Sequence, residues 1–335
     1  LILPETEALP FLANFVDRPF LRHTVEFLVD QGIRKIVVVG PTTAQTEKIL
    51  GSGRQWDASI EYREARCGSE YQAALFTDSE RFLLASATHL PKFPLKRCLE
   101  GNGGAVVYGK CGENWTGWAL VQSQDAGSMP PLCDHAAILC CLQGLPDYEK
   151  LSAEQEFRCN SEEDLWKAHK DAQDENLAGI FHAGLEVKPG VWMGRHASVA
   201  ADVEIVPPAY IGENSRIGPG AQIGPFAVIA KDCLIAPRTT IRHAVVAPGT
   251  YAGNNLELDH VLVDKRKLFD VRFGVSLDRV DSPILDGVFD FHWSAIPRRA
   301  YAFLASAVTL YSTKIPMTLF SVWSRLRRQL VETKD

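Results

Sequence analysis

Between residues 187 and 241 an apolar side chain returns at every sixth position: Val187, Met193, Val199, Ile205, Ile211, Ile217, Ile223, Ile229, Ile235 and Ile241. A helix repeats every 3.6 residues and a strand every two, so neither produces this interval. Two positions before each of these the residue is mostly small: Leu185, Val191, Ala197, Val203, Ala209, Ser215, Ala221, Ala227, Cys233 and Thr239. Gly, Ala or Val usually follows the apolar residue, and a proline often comes next (Pro189, Pro207, Pro219, Pro225, Pro237). The pattern predicts a short strand and a tight corner per hexapeptide, with the aliphatic residue pointing into a narrow prism. Three such units close a coil, so each inward side chain stacks on the one eighteen residues later. Each fully buried aliphatic stabilises by about 1.5–3 kcal/mol, and stacking spreads one core along the axis. The expectation is a parallel β-helix.

Upstream, the periodicity changes. Leu1-Ile2-Leu3 is a short apolar run that reads as the end of a strand. "RPFLRHTVEFLVDQGIRKIVVVG" puts Phe20, Leu21, Val25, Leu28 and Val29 on one helical face and then gives a buried strand. "TTAQTEKIL" reads as a helix after a Thr cap, and "ASIEYRE", "RFLLASA" and "GAVVYGK" read as strands. Such alternation predicts a mainly parallel sheet with helices on both faces.

Composition narrows the function classes. With 335 residues, 46% apolar and 23% charged, the chain fits a soluble protein of two or three domains. A net charge of −6 argues against a general nucleic-acid binder. The cysteines at 67, 98, 111, 133, 140, 141, 159 and 233 form no CxxC pair, and they read as reduced thiols in a cytoplasmic protein. The chain starts at Leu1 without a signal peptide, and residues upstream of it are expected.

The repeat resembles the hexapeptide of left-handed β-helices, which occurs in acyltransferases and in the tail domains of sugar nucleotidyltransferases. "ALPFLANFVDRPFLRHTVEFLVDQGIRKIVVVG", "CGSEYQAAL", "RFLLASATHL" and "NSEEDLWKAH" resemble, in order and spacing, the sugar-phosphate nucleotidyltransferases of the mannose-1-phosphate guanylyltransferase and glucose-1-phosphate thymidylyltransferase type. The resemblance implies an α/β fold with a Rossmann-like nucleotidyltransferase domain, then a left-handed parallel β-helix and a short C-terminal helical tail. The divisions expected are 1–155 for the α/β domain, 156–180 for a linker helix, 181–263 for the β-helix, 264–296 for a connector and 297–335 for the tail.

The family's chemistry joins a nucleoside triphosphate to a sugar 1-phosphate and releases pyrophosphate. It implies a backbone phosphate cradle, a cationic side chain and carboxylates on Mg²⁺. Where the family has a Gly-rich loop with an Arg, this chain reads "LILPETEALPFL"; Pro4 has no N–H to offer, and Glu5 and Glu7 repel phosphate. The position of the first metal-binding Asp holds Thr88, and that of the second holds Arg158. Ser161 with Asp164 still makes a capping box. Gly68 and Ser69 match the turn that contacts the nucleotide base, with an ordinary strand-to-helix turn as the plainer account.

The expectation is therefore a catalytically inactive relative that binds a sugar nucleotide or sugar phosphate, with no cofactor, and Mg²⁺ only if activity survives. An active nucleotidyltransferase is the first alternative. A hexapeptide acyltransferase using His196, His243 or His260 is the second. Trp115 and Trp118 of "WTGW" read as packing rather than as a sugar platform, and Cys133-Asp134-His135 as neighbours pointing apart.

The last stretch differs again. Residues 300–313 and 317–324 carry no charge, Lys314 and Pro316 interrupt them, Arg298 and Arg299 precede, and Arg325, Arg327 and Arg328 follow. This falls short of a spanning helix and suits one that enters a leaflet or lies at the interface. It resembles the membrane anchor of bacterial sugar-1-phosphate transferases; a soluble helical hairpin is the alternative. The partners implied are a phosphoglycosyl transferase domain or protein, the inner face of the plasma membrane, and, in a homo-oligomer, copies of the chain itself.

Overall fold

The computed structural model describes residues 1–3, 10–40, 43–65, 70, 80–101, 103–109, 114–126, 135–145, 148–281 and 284–288. The Gly68–Ser69 turn, the Pro4–Glu7 stretch, Cys133-Asp134 and the tail with Arg298, Arg299, Lys314 and Pro316 lie outside the described residues. Among the described residues no helix is long and apolar enough to cross a membrane.

The helix Phe20–Asp30 forms where the apolar spacing requires it, burying Phe20, Leu21, Val25 and Leu28 on one face. It ends where Gly32 takes a φ of 95°, a value open to glycine. The strand Lys35–Gly40 then pairs in parallel with Ser59–Glu64. Ile2 bridges in parallel to both Val39 and Ser86, which seats the Leu1–Leu3 run centrally.

The other half of the sheet departs from the parallel expectation. Trp115–Gln122 lies antiparallel to both Arg81–Leu84 and Gly104–Tyr108, and only Tyr148–Ser152 returns in parallel to Gly104–Tyr108. The fold is mixed α/β. The physical reason is the short link 109–114, since a parallel crossover needs about a dozen residues or more. Trp118 is completely buried; its Nε1 donates to the His89 carbonyl at 2.7 Å, and its ring meets Phe27 and Phe93 edge-on. The tryptophans of "WTGW" are packing residues here, with Trp115 Nε1 donating to the Trp118 carbonyl at 3.0 Å.

The helix Glu162–Asp174 joins the two halves of the molecule. Ser161 caps it, its hydroxyl accepting from Asp164 N at 3.1 Å, and three acidic residues occupy the first turn where the helix dipole favours them. Its inner face buries Leu165, Ala168, His169 and Ala172. Gln173 Nε2 donates to the Ala227 carbonyl and Trp166 Nε1 to the His243 carbonyl, fixing the helix to the repeat region.

That region is a parallel β-helix of three sheets. Ile211 lies in register with Ile229, Ile217 with Ile235 and Ile223 with Ile241, the eighteen-residue step the repeat demands. All six are buried. Then the step shortens: Val246 lies under Ile229, Ala252 under Ile235 and Leu258 under Ile241, seventeen residues on. The missing residue is at one corner, because Ile241 to Val245 and Leu258 to Leu262 are each one residue shorter than the equivalent Ile223 to Val228. At the opposite end Val187 is 52% exposed, and its strand Leu185–Lys188 runs antiparallel to Val191–Met193. Its place in the six-residue phase does not put it in the prism. Beyond the last coil, Lys267–Asp270 and Val275–Leu277 extend one sheet as antiparallel strands. Leu285–Gly287 pairs antiparallel with Thr250–Ala252, and fully buried Leu285 closes the prism.

Candidate functional site

The strand His89–Lys92 pairs antiparallel with Gln155–Arg158, bringing Arg158 opposite His89. One residue on, Cys159 N donates to the Thr88 carbonyl at 3.0 Å. The two positions implied as metal carboxylates by the family resemblance are thus side by side. Thr88 is buried, its hydroxyl 3.3 Å from that of Ser86.

Beside Arg158 stands an acid that the sequence reading did not single out. Glu156 and Arg158, two apart on a strand, share a face. Arg158 Nη2 donates to Glu156 Oε1 at 2.9 Å, and His89 Nε2 lies 3.2 Å from Glu156 Oε2. The His89 hydrogen bond, helped by the Arg158 charge and opposed by partial burial, holds the Glu156 carboxyl below its ordinary range. Gly109 leaves the room, since a Cβ there would sit 2.5 Å from Glu156 Oε2. The signal for Glu156 was the acid–base alternation of "EFR", which becomes informative only once the strand's partner is known.

A cavity of about 470 Å³ opens between the first domain and the β-helix, within the size range of small-ligand sites. Its charged lining comes from Asp17, Arg18 and Arg22 on one side and Glu213, Lys231 and Asp264 on the other. Arg18 forks onto two acids: Nε and Nη2 bond Asp17 at 2.8 and 3.0 Å, and Nη1 bonds both oxygens of Glu26 at 2.9 and 3.0 Å. Arg22 Nε adds a bond to Glu26 at 3.0 Å. Burial pushes the Asp17 carboxyl up, but the Arg18 hydrogen bonds and charge outweigh it and hold Asp17 low. Sequence reading missed this site, because the residues that face each other here are far apart along the chain.

Of the three histidines weighed for acyl transfer, the structure brings two together. His196 is exposed at a different corner of the prism, whereas His243 and His260 stack on consecutive coils, ring centroids 4.6 Å apart. They are half-buried and share one acid, Asp259. Cys98, Cys140, Cys141, Cys159 and Cys233 are all outside disulfides, and burial pushes the Cys233 thiol up to about 12. Only Cys159 and Cys233 of these are buried; Cys140 is exposed.

Residues 208–243 match the family model described as bacterial transferase hexapeptide (six repeats). The repeat is of that type. No curated protein matches the chain. Among solved structures, the chain is similar to one from Bacillus anthracis, assigned as a glucose-1-phosphate thymidylyltransferase and holding a sucrose, at 13% identity and a TM-score of 0.41, over 48% of this chain and 85% of that one. It is similar also to HddC from Yersinia pseudotuberculosis, at 11% identity and a TM-score of 0.41, over 49% of this chain and 89% of that one. The same protein complexed with GMP-PN aligns at 11% identity and a TM-score of 0.39, with the same coverage.

Proposed function

We propose that the chain is a catalytically inactive, sugar-nucleotidyltransferase-like module that binds a sugar nucleotide or sugar phosphate and acts as a regulator or scaffold in bacterial exopolysaccharide or lipid-linked sugar assembly. In this reading the coil is left-handed, and Arg298, Arg299, Lys314 and Pro316 meet the inner face of the plasma membrane. A phosphoglycosyl transferase, as a further domain or a partner, is what the module positions.

One observation carries the reading: the Glu156 carboxylate commits one oxygen to His89 and the other to Arg158. Nucleotidyl transfer relies on Mg²⁺, a hard cation that takes oxygen ligands and few protein side chains other than carboxylates. The two implied positions supply a hydroxyl and a guanidinium, and the acid beside Arg158 is already paired with that guanidinium. A divalent cation there would face the fixed charge of Arg158. This donor set does not fit Mg²⁺.

The test combines two measurements on the full chain. A pyrophosphate-release assay with a panel of nucleoside triphosphates and sugar 1-phosphates in Mg²⁺ is expected to stay at the blank. Calorimetric titration with nucleoside-diphosphate sugars and sugar 1-phosphates is expected to show binding. Robust Mg²⁺-dependent turnover overturns the inactive reading, and absence of binding across the panel overturns the ligand.

A further inference from the structure

The shortened corners of the last two coils do something the repeat does not require. The corner column runs Phe226, His243, His260, all with positive φ of 55°, 46° and 56°. Histidine is among the few non-glycine residues that tolerate this region, though at a cost that alanine would share and glycine would avoid. Losing one residue per corner places the two imidazoles in successive layers, 4.6 Å apart and within 25° of parallel. Asp259, the residue before His260, turns its carboxylate to both: His260 Nδ1 is 2.9 Å and His243 Nδ1 3.2 Å from the same oxygen, Oδ1.

We infer that His243, Asp259 and His260 form a binding site for a first-row divalent transition metal, Zn²⁺ being the best match, with a coordination position left open to solvent. The three ligand atoms lie within 4.8 Å of one another. Separations of 2.9 and 3.2 Å are those of adjacent ligands held about 2.1 Å from one ion at roughly 90–100°. Two imidazoles and one carboxylate form a nitrogen-rich donor set, which suits zinc, cobalt or nickel and not magnesium or calcium. The side chains are 27%, 17% and 33% exposed, so an ion held by them keeps access to water, the pattern of three protein ligands and an open fourth position.

Loading needs two adjustments, made against the stack of His243 on Phe226. Each ring rotates about its Cβ–Cγ bond to aim its in-plane lone pair, and each Nδ1 proton moves to Nε2 or leaves. The guanidinium groups near Asp259 are loosely placed, Arg242 Nε at 3.5 Å and Arg272 Nη1 at 3.6 Å. Each has a second acid to itself, Glu257 for Arg242 and Asp270 for Arg272, so neither is stranded when Asp259 turns to an ion. The site also has a reporter: the Trp166 ring lies 5.7 Å from that of His260 and is tied to the His243 carbonyl.

The experiment uses the full chain stripped with chelator and titrated with Zn²⁺ by calorimetry, then with Co²⁺ followed by visible absorption and tryptophan fluorescence. The expected result is one equivalent per chain, a cobalt d–d spectrum and partial quenching that Trp166→Phe removes without removing binding. His243→Asn with His260→Asn keeps a residue tolerant of positive φ at each corner, and circular dichroism checks its fold. It is expected to lose the equivalent, Asp259→Asn to weaken it by more than about tenfold, and Cys140→Ser with Cys141→Ser to leave it intact. The proposal is overturned if the folded double-asparagine variant binds Zn²⁺ and Co²⁺ as the parent does, if the cysteine variant loses the equivalent, or if no equivalent is bound at all.

Discussion

Val16 and His169 meet across 153 residues of sequence, the Val16 N–H donating to His169 Nε2 at 3.0 Å. His169 Nδ1 lies 2.8 Å from the Leu165 carbonyl, so the ring accepts at one nitrogen and donates at the other, which fixes it as the neutral tautomer protonated at Nδ1. Val16 has a φ of 60°, unfavourable for a β-branched residue, and this bond helps to hold it there. Burial depresses the His169 pKa to about 4. Nearby His23, also buried, is depressed to about 3. A base whose folded pKa is lowered stabilises fully above its unfolded value, about 6.5, and loses that contribution as pH falls towards the folded value. Urea melts between pH 7 and pH 4 are expected to show stability falling by about 3 kcal/mol from His169 alone. His169→Gln is expected to lose about 1–3 kcal/mol at pH 7 and to flatten the acid slope. An unchanged slope in the variant would refute the assignment.

Ile229 and Val187 occupy the same phase of the six-residue repeat with opposite surroundings. Ile229 is fully buried between Ile211 and Val246, whereas Val187 is half exposed on an antiparallel edge strand. Ile229→Ala is expected to cost about 2–5 kcal/mol by leaving a cavity in the prism. Val187→Ala is expected to stay within about 0.5 kcal/mol. Chemical denaturation of both variants checks the contrast, and equal losses would place Val187 in the core after all.

The repeat was readable because one side chain in six had a single job, filling a prism too narrow to admit alternatives. Its end was harder to place, since phase alone does not distinguish Val187 on an edge strand from Met193 packed against the coil core. The break after Ile241 was also written in the sequence, where the next inward residue, Val246, follows at five rather than six. It carried no meaning until His243 and His260 were seen to stack. In the first domain, the motif order marked Thr88 and Arg158, and the strand pairing brings them together. Glu156 escaped notice because its second hydrogen bond is to His89, a partner 67 residues away. The cavity at Arg18 is less legible still, being assembled from segments on two architectures that no local pattern links.

Glycine matters at one corner far more than at another. Gly224 has a φ of 96°, and a Cβ there would overlap the Val206 carbonyl oxygen. Gly274 has a φ of 62° with nothing within 4 Å of an added Cβ. Gly224→Ala is expected to cost more than about 2 kcal/mol, combining conformational strain with a backbone clash that no rotamer relieves. Gly274→Ala is expected to cost about 1 kcal/mol, the strain alone. Denaturation midpoints compared at one temperature measure the difference, and a Gly224→Ala variant as stable as Gly274→Ala would contradict the packing of these two coils.

Arg18 should be the side chain on which the cavity wall depends most. Asp17 and Glu26 are each only 8% exposed, and Arg18 is the cation that bonds them both. Removing it leaves two nearly buried carboxylates, one facing Arg22 alone, and a charge stranded in this way costs about 3–5 kcal/mol. Lysine restores charge but not the planar fork, so Arg18→Lys should recover only part of the loss relative to Arg18→Ala. The sign of the pH dependence follows from Asp17, whose folded pKa is lowered below the ordinary carboxylate value of about 3.9. Its contribution is present above that value and is lost as pH falls through the folded one. Without Arg18, burial dominates, and the Asp17 pKa moves up. The stability gap between parent and Arg18→Ala, measured by urea melts, should therefore be widest at pH 7 and narrow towards pH 4 as the stranded Asp17 carboxylate protonates. A gap that is small at pH 7, or that widens in acid, would mean that the fork is not what holds this wall.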